Sequence, residues 1–341
     1  MDRIKIHIDK AHDDYITSRT NPNFFNNEYL SSHWYGWFNE KYFEIVEDNW
    51  DFKIIWPMLK DGIDPTNEWG DFGLAYAPST WKSISDTSKC IMDFSWEGCD
   101  LTHQPFSNGD DTLSHYNIRE FLPDNVIPLN GNQNDNLYIN NTFSFVNKFK
   151  TNETPPKKEK FGICLNRIVK EHRTAVIEFL KDKNYIDDFI WSYDVVEEIH
   201  DARQHAPFNG FSKAYFFICT ESIFSDEYNP KFITEKIMKG IYYKNIFIMV
   251  GPLHGIQALR DLGFDTFDDI IDHSYDLVID RFDRLDKCLE VIDNIMNRKE
   301  EIIELYNTTD IQDRLEYNKN KVLELPEQHT KDVYNKLKLL L

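Results

Sequence analysis

The chain has 341 residues, 41% of them hydrophobic and 15% aromatic, and a formal net charge of −20. That apolar content builds packed cores and excludes a disordered polymer, and the length suggests two domains of ordinary size. The acidity argues against non-specific grip on nucleic acid, which needs surface Lys and Arg, while leaving room for a local basic cleft. No window approaches the roughly 18 consecutive apolar residues of a membrane span. The opening Met-Asp-Arg-Ile-Lys-Ile-His-Ile alternates as a strand and does not read as a secretion signal. Five cysteines (Cys90, Cys99, Cys164, Cys219, Cys288) are odd in number and form no CxxC pair. Cys164 and Cys219 fall in apolar runs and read as small core residues. The expectation is a soluble, cytoplasmic protein with neither a membrane span nor a structural zinc.

In chain order, "RIKIHI" and "FKIIWP" read as strands, and "DTSKCIMDFS" holds another. Between the first two lies the aromatic stretch "FFNNEYLSSHWYGWFNEKYFEI", expected to be helical in its second half and to serve as core. "PLNGNQNDNLYINN" is polar and Asn-rich and reads as loop. The segment "KTNETPPKKEK", 150–160, is polar, locally basic and carries a Pro-Pro pair, which marks it as a linker.

Beyond it the pattern becomes regular. "FGICL" is a strand, and "TAVIEFLKDK" has Val176, Phe179 and Leu180 at helical spacing. "AYFFICT" is a second strand, Ile233 to Tyr243 a helix, and "NIFIMV" a third strand. "GIQALRDLG" then places Ile256, Leu259 and Leu262 on one face, with Gly263 suited to a C-cap. Alternating strands and helices imply βαβ units and a parallel sheet. The final "KDVYNKLKLLL" reads as an amphipathic helix that packs back on the first domain. The domains are therefore expected at 1–150 and 151–325, with a C-terminal helix at 326–341.

In an open parallel sheet, ligands bind outside the carboxyl ends of the strands. Three stretches of the second domain fall there. "LNRIVKEHR" holds Arg167, Lys170, His172 and Arg173 before a helix, and a guanidinium beside a helix N-terminus suits a diphosphate. "CTES" places Glu221 and Ser222 at a strand end, where a carboxylate accepts from sugar or ribose hydroxyls or simply caps a turn. "ITEK" opens a helix with Thr234, Glu235 and Lys236. A lysine in a first turn opposes the helix dipole, an oddity that disappears if Lys236 is aimed at phosphate. In the first domain, "MDFSWEGCD" offers Asp93 or Glu97 among aromatics as a candidate general base, or as an ordinary capping acid. The histidines show no ligand spacing, and there is no GxGxxG, GxxxxGK[ST] or GxSxG.

Taken together, "FFICTESIFSDEYNPKFITEKIMKGIYYKNIFIMVGP" resembles the donor-binding half of the α1,3-fucosyltransferase family. The family pattern is a strand, a Phe-Glu-Asn-Ser run, a spacer, Tyr-x-Thr-Glu-Lys, and a strand ending in Gly-Pro or Gly-Ser. "LNRIVKEHRTAVIEFL" is similar to the Ser-Asn…Arg stretch before that family's first donor-domain helix, and "DFSWEG" echoes its Ser-x-Glu-Ser motif. The mix of "CLNR…HR", "ITEK" and "LRDLGFDTFDDIIDHSYD" also resembles glycosyltransferase-like proteins of bacteriophages, which would place the chain in a host cytoplasm. The main resemblance covers 161–277.

The resemblance implies an α/β protein of the GT-B class, two Rossmann-like domains facing a cleft, and an inverting sugar transfer without a bound metal or other cofactor. By the same resemblance Arg173 and Lys236 hold the diphosphate of a nucleotide sugar, Glu235 and Glu221 contact ribose or sugar, and Glu97 deprotonates the acceptor hydroxyl. Two departures bear on the donor. Ser222 stands where the family has Asn, and Phe232 stands near the tyrosine's place without its hydroxyl. They leave a nucleotide sugar, GDP- or UDP-linked, rather than GDP-fucose in particular.

The acceptor is expected to be a glycan hydroxyl. The alternatives are a hydroxymethylated base in DNA, against which the −20 charge counts, and a nucleotide- or glycan-binding protein without turnover. A steep fall of DNA affinity with salt marks the first alternative. Binding that survives Glu97→Gln, with no turnover in either version, marks the second.

Overall fold

A computed structural model of the chain describes residues 2–8, 39–46, 48–55, 90–93, 104–107, 113–116, 127–129, 138–140, 157–166, 169–193, 210–221, 224 and 232–341. The chain divides into two compact units, Met1–Ser144 with Pro326–Leu341, and Phe145–Leu325. The fold is mixed α/β, with a parallel sheet in each unit.

The first unit contains β1 (Ile4–Ile8), β2 (Phe43–Ile45), β3 (Phe52–Ile55), β4 (Cys90–Asp93), β5 (Gln104–Ser107), β6 (Leu113–Tyr116), β7 (Ile127–Leu129) and β8 (Tyr138–Asn140). Its main sheet runs β2-β1-β3-β4-β7, with every neighbouring pair parallel. β5 and β6 form an antiparallel pair. Alternation in β1 puts Ile4 and Ile6 wholly out of solvent, as its sequence pattern requires.

Two expectations for this unit are corrected. The end of the aromatic stretch is not helical: residues 40–42 form a turn and Phe43–Ile45 is β2. Parallel pairing with β1 overrides the helical spacing there; the stretch's earlier residues lie outside the described set. The Asn-rich segment is not all loop either, since its ends supply β7 and β8.

The C-terminal stretch belongs to this unit. Tyr334 stacks edge-on to Phe43, ring centroids 6.0 Å apart, and its hydroxyl donates to the Asp2 carbonyl at 2.9 Å. Tyr42 donates to Glu327 at 2.7 Å.

The second unit contains β9 (Lys160–Leu165), α1 (Glu171–Asp182), β10 (Phe189–Ser192), β11 (Ala214–Thr220), β12 (Phe232–Thr234), α2 (Glu235–Tyr242), β13 (Ile246–Val250), α3 (Gly255–Asp261), α4 (Arg281–Asn297), α5 (Lys299–Tyr306) and α6 (Thr309–Lys338). The unit boundary cuts α6 at Pro326. The sheet runs β10-β9-β11-β13 and is parallel throughout. β11 and β13 are apolar runs and almost wholly buried, as strands covered on both faces must be. α1 buries Val176, Ile177 and Leu180. α2 lies so close to β11 that a Cβ on Gly240 would meet Phe217 Cδ1 at 2.2 Å. Gly263 follows α3 at φ +78°, the left-handed conformation expected of it.

Three details of this unit differ from expectation. The helix begins at Glu235, with Ile233 and Thr234 in β12. Strand β10, "FIWS", has too few residues to show a pattern and was not expected. The basic end of the linker is packed: Lys158 donates to the Ala214 carbonyl at 2.6 Å and lies 5.0 Å from the Tyr306 ring centroid. Cys164, Cys219 and Cys288 are buried thiols. Among the described residues no helix is long and apolar enough to cross a membrane.

Candidate functional site

In the second sheet, β10 lies on one side of β9, and β11 and β13 lie on the other. The chain thus reverses its direction of progress between β9 and β11, and the crevice beyond such a reversal is where doubly wound sheets bind ligands. A hydrogen bond closes the end of this pair of strands. Thr220, last in β11, donates through Oγ1 to Asn166 Oδ1, just past β9. Asn166 also donates from its backbone to the Ser192 carbonyl at 2.9 Å, so one buried residue ties three strand ends. Sequence reasoning passed over Asn166; its signal was a lone amide directly after an apolar strand.

Glu221 follows Thr220 and is fully buried. Both of its carboxylate oxygens accept from Thr234 Oγ1, at 2.7 and 2.8 Å, and Lys236 Nζ stands 3.5 Å away. Thr234 is the N-cap of α2 and accepts from the Lys236 backbone N–H at 3.2 Å. One hydroxyl therefore serves a helix end and a buried carboxylate together. Lys236 Nζ also lies 3.8 Å from Glu235 Oε1. Its side chain is 28% exposed and that of Glu235 21%, so these two carry the cluster's accessible chemistry. Burial alone would lower the pKa of the Lys236 ammonium, but Glu235 and Glu221 together raise it.

On the other side of the reversal, α1 starts at Glu171 without a side-chain cap among the described residues, and its first turn lies at the carboxyl edge of the sheet. His172 and Arg173 in that turn are 4% and 5% exposed, and both donate to the Glu221 carbonyl, from Nε2 at 2.9 Å and Nη2 at 3.1 Å. This pair clamps α1 to the end of β11. Burial lowers the pKa of the Arg173 guanidinium, with Glu221 opposing; it stays charged in any case. Burial also holds the His172 imidazole down at about 4. The N-terminus of α3 is occupied: Asp276 accepts from the Ile256 and Gln257 N–H groups at 3.0 and 2.9 Å.

The structure thus brings Arg173, Glu221, Thr234, Glu235 and Lys236 together around one strand end. Arg167, Ser222 and Glu97 lie outside the described residues. Asp93 ends β4 in the first unit. Among the described residues no three His, Cys, Asp or Glu side chains converge as a metal site.

No model of a known protein family matches the chain, and no curated protein matches its sequence. Among solved structures, an α1,3-fucosyltransferase with GDP-fucose aligns over 94% of this chain and 90% of its own, at 13% identity and a TM-score of 0.34.

Proposed function

We propose that this chain is a nucleotide-sugar-dependent glycosyltransferase of the GT-B class, inverting and metal-independent, whose second unit takes the donor and whose first unit takes a glycan hydroxyl as acceptor. The observation that carries the reading is the joint placement of Lys236, the Glu221–Thr234 pair and the first turn of α1 at the reversal point of a parallel sheet. A diphosphate suits this place because a helix N-terminus and a partly exposed cation meet there. The donor is GDP- or UDP-linked, and the motif spacing of "CTES" and "ITEK" supports the same assignment.

The residues divide the work by exposure. Lys236 turns from Glu235 to the diphosphate and stabilises the charge that builds as the glycosidic C–O bond breaks. Glu235, freed by that turn, accepts from a ribose or sugar hydroxyl. Glu221 and Arg173 are buried, so they act by position and field: Glu221 fixes Thr234 and Lys236, and Arg173 fixes the end of β11. Arg167 and Ser222 complete the donor contacts. An acceptor oxygen attacks the anomeric carbon, the diphosphate leaves from the opposite face, and the acceptor proton passes to Glu97, or to Asp93 at the end of β4.

Calorimetric titration of GDP, UDP, ADP, CDP and TDP into the wild type and Lys236→Ala tests the reading. One nucleotide should bind the wild type and lose at least about tenfold in affinity in the variant, as removal of a charge-assisted contact predicts. Equal binding by both proteins, or no binding by any nucleotide, overturns it.

A further inference from the structure

Three large apolar side chains of the second unit stand in solvent close together in sequence: Leu277, Ile279 and Phe282, at 66%, 70% and 49% exposure. Single exposed apolar residues are ordinary, and Val169, Trp191 and Tyr317 are of that kind. A cluster is not, because it forgoes burial and marks an interaction surface.

The chain holds these side chains out on an ordered backbone. Leu277 ends a 3-10 turn, Ser274–Leu277, and Val278 and Asp280 are extended before α4 begins at Arg281. Val278 is half-buried between Leu277 and Ile279, so alternation sends those two to the opposite side. Arg284, 1% exposed, donates through Nη1 to the Val278 and Ile279 carbonyls at 2.7 and 2.9 Å. Asp280 caps α4, its Oδ1 accepting from the Phe282 and Asp283 N–H groups at 2.9 Å each. The apolar side chains therefore start from a fixed frame, which lowers the entropy lost on binding.

The rim of this cluster is acidic. Asp272, Asp280, Asp283 and Asp286 are all exposed, and Asp286 lies one turn beyond Phe282 on the same face of α4. Of the neighbouring cations, Arg281 lies over the Phe282 ring, 4.7 Å from its centroid, and Lys287 is paired with Glu290 at 2.8 Å. An apolar centre with a carboxylate rim is complementary to an apolar stripe flanked by Lys or Arg. It repels a second copy of a chain of net charge −20, which would set the same carboxylates face to face, and it repels an anionic lipid surface.

We propose that Leu277, Ile279 and Phe282 form a docking surface for a cationic amphipathic segment of a partner protein. The surface is separate from the donor-site reading and stands or falls without it.

The probes are three synthetic peptides: an amphipathic helix of Leu and Lys, its counterpart of Leu and Glu, and a scrambled Leu-Lys peptide without an apolar stripe. Each is titrated into the wild type, the double variant Leu277→Ser/Ile279→Ser and the double variant Asp283→Asn/Asp286→Asn, with thermal unfolding as the check on folding. The Leu-Lys helix should bind the wild type and lose at least about tenfold in affinity in Leu277→Ser/Ile279→Ser. It should also weaken in Asp283→Asn/Asp286→Asn and with rising salt, and the other two peptides should bind the wild type at least about tenfold more weakly. Equal affinity for the wild type and Leu277→Ser/Ile279→Ser reduces the contact to charge attraction and overturns the proposal, as does failure of the Leu-Lys helix to bind. Should Leu277→Ser/Ile279→Ser not fold, unchanged affinity in Asp283→Asn/Asp286→Asn overturns it alone. Two further outcomes give the face to another occupant and also overturn it: dimerisation of the wild type, or binding to phosphatidylcholine vesicles, that is lost in Leu277→Ser/Ile279→Ser.

Discussion

His172 should make the stability of this protein fall steeply in mild acid. Burial carries the imidazole down from its ordinary 6.5 to about 4; the Glu221 carbonyl opposes that shift, and the charges of Arg173 and Lys170 add to it. The folded state therefore takes up this proton only near pH 4, the unfolded chain near 6.5. Between those values the unfolded chain binds more protons, so the contribution is fully present above about pH 6.5 and is lost as pH falls towards 4. The drop in pKa corresponds to about 3 kcal/mol when the whole window is crossed. His172→Gln keeps an N–H donor for the Glu221 carbonyl and removes the titration. Urea unfolding of both proteins between pH about 7 and about 4 should show the variant losing about 3 kcal/mol less than the wild type. Carboxylates titrate equally in both proteins and cancel, as do His273 and His329, whose pKa values burial also lowers. Parallel stability curves would refute the reasoning.

Thr234→Val removes the hydroxyl that serves both Glu221 oxygens and caps α2. Denaturant unfolding should show a loss of about 2 kcal/mol, with Thr234→Ser close to wild type. Gly240→Ala would gain about 1 kcal/mol in an open helix. Here its Cβ would stand 2.2 Å from Phe217 Cδ1, in a ring only 3% exposed, so a lowered Tm is expected from overpacking of about 1–3 kcal/mol.

The legible parts of the sequence were those where one period dominates. β9, β11 and β13 are apolar runs bounded by polar turns, and α1 and α3 repeat at helical spacing, so the parallel arrangement followed from composition and order. β10 was not legible, because four residues following a 3-10 turn carry no period; it is defined by its pairing with β9. The turn and strand at 40–45 were hidden for a related reason. "KYFEI" suits a helix locally, and only the register with Ile4–Ile6 selects the extended form.

The candidate site divides along the same line. Thr234, Glu235 and Lys236 are neighbours in sequence, so a charged helix start was visible at once. What the spacing could not reveal is that Glu221, thirteen residues away, lies buried under that start and is held on both oxygens by Thr234. That relation depends on β11 and β12 ending at one place, a property of the fold alone. The same holds for Arg173. As a residue type it reads as a phosphate ligand, but its guanidinium is buried and spends Nη2 on the Thr220 and Glu221 carbonyls. Residue type suggested which chemistry was present; burial decides which residues can meet a ligand directly and which act through another. By that criterion Lys236 and Glu235 are the members of the cluster exposed enough to meet a ligand, while Glu221, Thr234 and Arg173 are buried. On the proposed donor site, activity should therefore tolerate Glu235→Gln better than any change at Lys236, because in that proposal Lys236 alone is set against the charge that builds on the leaving diphosphate.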